Sequence, residues 1–136
     1  MTSIEAAFFC EKVYVMADGK HMTAGIIPGI ISYNDVRHDA IAVDAYALLK
    51  FDRAGPRNLD VSIAATSGGT IAKNSLAVHV QDARFAMHLV IGNVHLPLKD
   101  GETYVLSCKV DGEEWKPACK LDMLVSFVEE TRPVLS

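Results

Sequence analysis

The sequence is poor in the features that usually mark a site. It has no run of Lys or Arg, a single Trp, an odd set of three cysteines, and no long uninterrupted apolar stretch. Each absence excludes something. Without basic clusters, and at a net charge of −4, the chain offers no electrostatic footprint for nucleic acid or for an anionic membrane surface. A membrane-spanning helix needs roughly 18 consecutive apolar residues; the apolar stretch at residues 6–9 is cut off by Glu11 and Lys12. The start, Met1-Thr2-Ser3-Ile4-Glu5, lacks the basic patch and apolar core of an export signal. The expectation is a cytoplasmic protein, with Cys10, Cys108 and Cys119 as reduced core thiols rather than a disulfide framework.

What the sequence does have is alternation broken by glycine turns. Leu59, Val61 and Ile63 alternate with Asp60, Ser62 and Ala64; after Ser67-Gly68-Gly69-Thr70, Leu76, Val78 and Val80 alternate with Ala77, His79 and Gln81. Period 2 across a Gly-Gly turn is the pattern of a half-buried antiparallel hairpin. A two-residue turn there would set Val61 across from Leu76 and Leu59 across from Val78. The same pattern recurs along the chain. Tyr14 and its flanking valines lead to a turn at Ala17-Asp18-Gly19-Lys20 and a return strand over 20–26. Phe8 and Phe9 are neighbours and cannot share one face of a regular strand, so either both faces are covered there or a bulge near 10–12 re-aims the chain. Residues 32–39 read as a polar loop.

Residues 40–52 fit two templates. Ile41, Ala45, Leu48 and Leu49 match a helical face and the alanines favour helix, whereas Ile41, Val43, Ala45, Ala47, Leu49 and Phe51 alternate with Asp44, Tyr46 and Lys50. Strand is the reading taken, because β-branched residues open the run. Phe85, Met87, Leu89 and Ile91 alternate up to Gly92-Asn93, and Val94, Leu96 and Leu98 continue the set. The last hairpin spans 102–110 and 115–128 around Asp111-Gly112. Its inward face collects Tyr104, Leu106, Cys108 and Val110 against Trp115, Cys119, Leu121 and Met123, with Pro117 marking an edge or a bulge. Residues 129–136 read as a charged, frayed tail. The expected architecture is all-β: an antiparallel β-sandwich of about eight strands, immunoglobulin-like or C2-like, as one domain over residues 1–136.

The order of these pieces resembles an uncharacterised bacterial family of small all-β sandwich proteins, known only as a domain of unknown function. The likeness lies in the turn Ala17-Asp18-Gly19-Lys20, the return strand His21-Met22-Thr23-Ala24-Gly25-Ile26 and the apolar third strand at 40–51. It continues through Leu96-Pro97-Leu98-Lys99-Asp100-Gly101-Glu102-Thr103-Tyr104 and the hairpin Val110-Asp111-Gly112-Glu113. The family has a richer Gly cluster after the second strand than Gly25 alone. These motifs are turn chemistry. The resemblance implies a sandwich fold and no activity.

Candidate sites are few. If a tight hairpin forms at Asp82-Ala83-Arg84, His79 and His88 become cross-strand neighbours, Cβ atoms roughly 5 Å apart. With His95 or Gln81 they could then share Zn²⁺ or Cu²⁺. A metalloprotein or enzyme built on His79, His88 and His95 is therefore the alternative reading. Cys108 and Cys119 face other partners in either plausible register, which argues against a bridge. Ser67-Gly68-Gly69-Thr70 lacks the following helix of a phosphate loop, and Ser32, Ser62 and Ser75 lie in no nucleophile elbow. Asp18, Asp35, Asp39 and Asp100 form no dense calcium cluster. Trp115, read as inward-facing, offers no platform for a glycan. The favoured expectation is a non-enzymatic protein-binding or structural module without cofactor. It would self-associate as a homodimer through outward-facing Tyr46, Leu48 and Val90, an apolar patch rimmed by Asp44 and Lys50.

Overall fold

In a computed structural model of the chain, residues 2–18, 20–33 and 39–126 are described; Gly19, Asp35 and the tail expected at 129–136 lie outside them. Nine strands are present among the described residues: β1 (Ser3–Val15), β2 (His21–Ile27), β3 (Ile30–Tyr33), β4 (Ala40–Lys50), β5 (Gly55–Ala65), β6 (Thr70–Val80), β7 (Met87–Pro97), β8 (Thr103–Val110) and β9 (Lys116–Val125). They make two sheets, a four-stranded one ordered β2-β1-β4-β7 and a five-stranded one ordered β3-β9-β8-β5-β6. The pairings are antiparallel except β3 with β9. The ninth strand is β3, in part of what reads from sequence as loop. Ile30, Ile31 and Tyr33 suit a strand, and β9 supplies the parallel pairing that holds it.

The ambiguous segment at 40–52 is strand, and the physical reason is its two neighbours. β4 lies between β1 and β7, so both rows of its backbone groups are paired. Its odd-numbered side chains Val43, Ala45, Ala47 and Leu49 enter the main core, joined by Phe9, Leu89, Val94 and Leu96 from the same sheet. Leu59, Val61, Ile63, Tyr104, Leu106, Leu121 and Met123 meet them from the five-stranded sheet. Each fully buried aliphatic side chain stabilises by about 1.5–3 kcal/mol before entropy is counted.

Three expectations of register need correction. In the β5–β6 hairpin Leu59 pairs with Leu76 and Val61 with Asn74, one two-residue step from the expected pairing. The connection is longer than two residues: Ala65 N donates to Gly69 O at 3.0 Å, and Gly68 and Gly69 both take positive φ. The step is even, so both apolar sets keep their face. In β7, Gly92-Asn93 is a bulge within one continuous strand, where three residues span the two from Val43 to Ala45. Phe85, read as part of that strand, sits in the preceding turn and is exposed. In the last hairpin the Asp111-Gly112 turn forms with positive φ at both positions, and Glu113 N donates to Val110 O at 2.9 Å. A shift between Leu106 and Ser107 then pairs Leu106 with Cys119 but Cys108 with Lys116. That bulge at Pro117 reverses the facing of what precedes it, and Trp115 emerges on the outside.

Candidate functional site: a hairpin arm over the four-stranded sheet

The alternation of β4 directs Asp44, Tyr46 and Leu48 to the outer face of the four-stranded sheet, with Val90 opposite Tyr46 and His88 opposite Leu48. On an open face Tyr46 would be exposed. It is only 8% exposed; Leu48 is half-buried and Val90 is 36% exposed. The cover comes from the chain itself. Phe8 stacks on Tyr46 with ring centroids 5.0 Å apart, while Phe9 beside it enters the main core, so both faces of β1 are occupied.

Further along, β1 leaves the sheet. Its pairing with β4 ends at Cys10 opposite Asp44, while its pairing with β2 continues to Val15 opposite His21. Glu11 and Gly25 face each other without a bridge between the paired positions on either side. Gly25 has φ 67°, and a Cβ built there would meet the Glu11 carboxyl carbon at 2.5 Å. An L-residue at this point would carry both left-handed strain and a clash. The kink folds the distal hairpin over the sheet: Val13 joins Cys10 and Tyr46 in a second apolar cluster. The ring of His21 stacks on His88 at 4.2 Å. β2 and β7 are opposite edges of that sheet, three strand spacings or about 14 Å apart if it were flat. Only an arm lying across the face brings these rings together.

Two polar devices hold the arm. Asp44, 4% exposed, sits opposite the β7 bulge and accepts hydrogen bonds from Val13 N and Asn93 N, both at 2.8 Å. One carboxylate thus ties the arm to β4 and supports Asn93 at its positive φ of 56°. The second device is a hydrogen bond between the Tyr46 hydroxyl and His88 Nδ1. The protonated phenol donates, so Nδ1 accepts and the neutral ring carries its hydrogen on Nε2. Burial raises the Tyr46 phenol above its ordinary range. Burial first, and the neighbouring His21 second, lower His88 below the ordinary imidazole value. His21 Nδ1 is buried with no hydrogen-bond partner.

The expected His79–His88 pair does not form. β6 and β7 belong to different sheets; His79 lies opposite Pro56, and His95 opposite Ala42. His79 and His88 do share an open groove of about 460 Å³ with His21, Gln81, Asp82, Phe85 and Met87. Among the described residues no three His, Cys, Asp or Glu side chains are placed to hold a metal ion. Two rings stacked within 19° of parallel also aim their in-plane lone pairs side by side, not at one point. Sequence reasoning missed His21, and it placed Asp44 on the rim of the patch where the structure buries it. The first acquires its role only through the Gly25 kink, the second only through a bulge in another strand.

Elsewhere the polar groups answer to structure. Ser67 N and Oγ bind an anion, but an internal one: the Glu102 carboxylate, which also accepts from Thr66 Oγ1 and Thr103 N, both at 3.1 Å. These donors hold Glu102 at about 2, far below the ordinary carboxylate range. Trp115, expected inside, is 39% exposed, with the Lys109 and Lys73 ammonium groups 5.0 and 5.9 Å from its ring centroid. Cys10, Cys108 and Cys119 are free thiols. Among the described residues no helix is long and apolar enough to cross a membrane.

No family model matches the chain, and no curated protein matches it. Among solved structures it is similar to a protein from Bacteroides fragilis assigned as a β-galactosidase, at 15% identity and TM-score 0.43. The similarity covers 65% of this chain and 14% of that one. A likeness of this degree bears on neither activity nor partner.

Proposed function

We propose that the chain is a non-enzymatic protein-binding module that pairs with a second copy of itself through the arm and the adjoining outer face of the four-stranded sheet. The observation that carries this reading is where the exposed apolar side chains lie. Of the large apolar side chains that are exposed, Tyr14, Val15, Met16, Met22 and Ile26 fall on the β1–β2 hairpin, next to a face that also exposes Val90, while Ile30, Phe85, Trp115 and Leu124 lie elsewhere. Large exposed apolar patches mark interaction surfaces in soluble proteins. Charge favours a second copy of the chain as the occupant. Glu11, Lys12, Asp18 and Lys20 of the hairpin sum to zero in a chain of net charge −4, so two arms meet without the repulsion that other faces impose. A two-fold contact lets one patch serve both subunits.

The magnitude is adequate. Covering the exposed halves of those five hairpin side chains is worth about 4–7 kcal/mol per protomer, against an association cost of about 4–15 kcal/mol. A weak dimer follows. The proposal includes an immunoglobulin-like or C2-like arrangement of the two sheets and a cytoplasmic location, the latter supported by three unbridged thiols. The likeness to a bacterial family of unknown function adds no activity.

Light scattering on the purified chain tests it. The wild type should approach twice 14.8 kDa as concentration rises, and the double variant Met22→Lys/Val90→Lys should stay at the monomer mass with an unchanged melting temperature. A wild type that is monomeric at millimolar concentration, or a variant that still dimerises, refutes the assignment.

A further inference from the structure

The arm is held closed by contacts that tolerate acid poorly. His88 resists a proton while the arm is closed: burial first, and His21 second, lower it below the ordinary imidazole value. His21 Nδ1 is buried with no acceptor in reach. Its ring also lies 4.2 Å from that of His88, so the second proton sets two like charges face to face. The hinge is already built, in the unpaired Glu11–Gly25 position where β1 and β2 leave the sheet.

We propose that the arm, residues 12–18 and 20–24, is an acid-released cover: protonation of both His21 and His88 unstacks the rings. The arm then swings about Glu11–Gly25 and opens the face formed by Cys10, Tyr46 and Leu48. The other titratable and charged groups at this contact come from every element that meets it. Tyr46 from β4 bonds to His88. Asp44 of β4 holds Val13 N. His79 and Asp82 line the adjoining groove, where Asp82 is engaged by Arg84 at 2.7 Å. Of these, Asp44 is the rival trigger, since its protonation would weaken its hold on the arm.

Cys10 is the natural reporter. It is fully buried under the arm on the outer face, whereas Cys108 lies in the core between the sheets. The rate of modification by 4,4′-dithiodipyridine, which reacts in acid, is measured for each cysteine by peptide mass spectrometry and divided into the rate for denatured protein at the same pH. Linkage gives up to about a tenfold change in opening for each pH unit over which the closed pair resists a proton. Cys10 protection should fall at least tenfold between pH 7.5 and pH 5.0 while Cys108 stays protected. In His21→Phe, which keeps a stacking ring that cannot be charged, it should change less than threefold; His88→Phe serves if that variant does not fold. Protection of Cys10 that is independent of pH in the wild type overturns the proposal. So does a fall retained in His21→Phe, which would place the trigger on Asp44, and so does parallel exposure of Cys108, which would mean global unfolding. The readout is thiol exposure, not mass, so this inference and the dimer reading fail separately.

Discussion

Asp44 offers the sharpest check on how the arm is attached. Its carboxylate accepts from Val13 N and Asn93 N, each at 2.8 Å, at a site only 4% exposed. A hydrogen bond to a charged group contributes about 1.5–3 kcal/mol, and a buried donor left without a partner costs a similar amount. Asp44→Ala removes both acceptors, so the expected loss is about 3–6 kcal/mol, a large part of the stability of a domain this size. Asp44→Asn keeps the shape and one oxygen, but turns an amide N–H₂ toward one of the two backbone donors. It should lose about half as much, about 1.5–3 kcal/mol. Urea unfolding at pH 7 measures the totals, and amide hydrogen exchange locates them. Protection should drop first at Val13 and Asn93, while the Leu106 amide in the five-stranded sheet changes only as far as global stability falls. If Asp44→Ala lies within about 0.5 kcal/mol of the wild type, or Val13 and Asn93 exchange as before, the carboxylate does not hold the arm and this account is wrong.

Two further outcomes rest on titrating groups. Glu102 is held at about 2 against an ordinary value of 4.5, chiefly by the Ser67 hydroxyl and then by backbone donors, so its folded form favours the carboxylate. Its contribution is complete above about pH 4.5 and is lost as pH falls through about 2. The urea midpoint of the wild type should therefore drop across that window, and Glu102→Gln should lower it at pH 7 and flatten the acid slope; identical slopes would refute it. Burial pushes the Cys108 thiol up to about 11, and burial with the Cys108 charge pushes Cys119 to about 12. At pH 8 no more than about one Cys108 thiol in a thousand is then the reactive thiolate. Both should label slowly in the native state and promptly on unfolding; fast native labelling or a Cys108–Cys119 bridge in mass spectrometry would refute that placement.

Much of the sheet structure was legible because period 2 is a local property. The inward sets Leu59, Val61, Ile63 and Tyr104, Leu106, Cys108, Val110 are buried as their alternation implies, and Asp111-Gly112 makes the turn its residue types favour. The failures cluster where one residue changes parity. Pro117 announced an edge or a bulge, but not that Trp115 would cross to the outside as a result. Gly92-Asn93 read as a strand end, and is a bulge instead because Asp44 from β4 supplies the acceptor that an extra residue needs.

By itself, then, the amino-acid order determined the all-β character, the outward facing of Tyr46 and Leu48 on β4, and the burial of Cys108 in the last hairpin, with Cys119 partly buried. All of these follow from alternation and turn chemistry within a few residues. Only the tertiary structure decided which sheet each strand joins, and so separated His79 from His88. It alone decided that Tyr46, though outward, is covered. The reason is that one kink at Gly25, unremarkable in a list of residues, swings the arm across a whole sheet. It stacks His21 on His88, two side chains 67 positions apart that no local pattern connects.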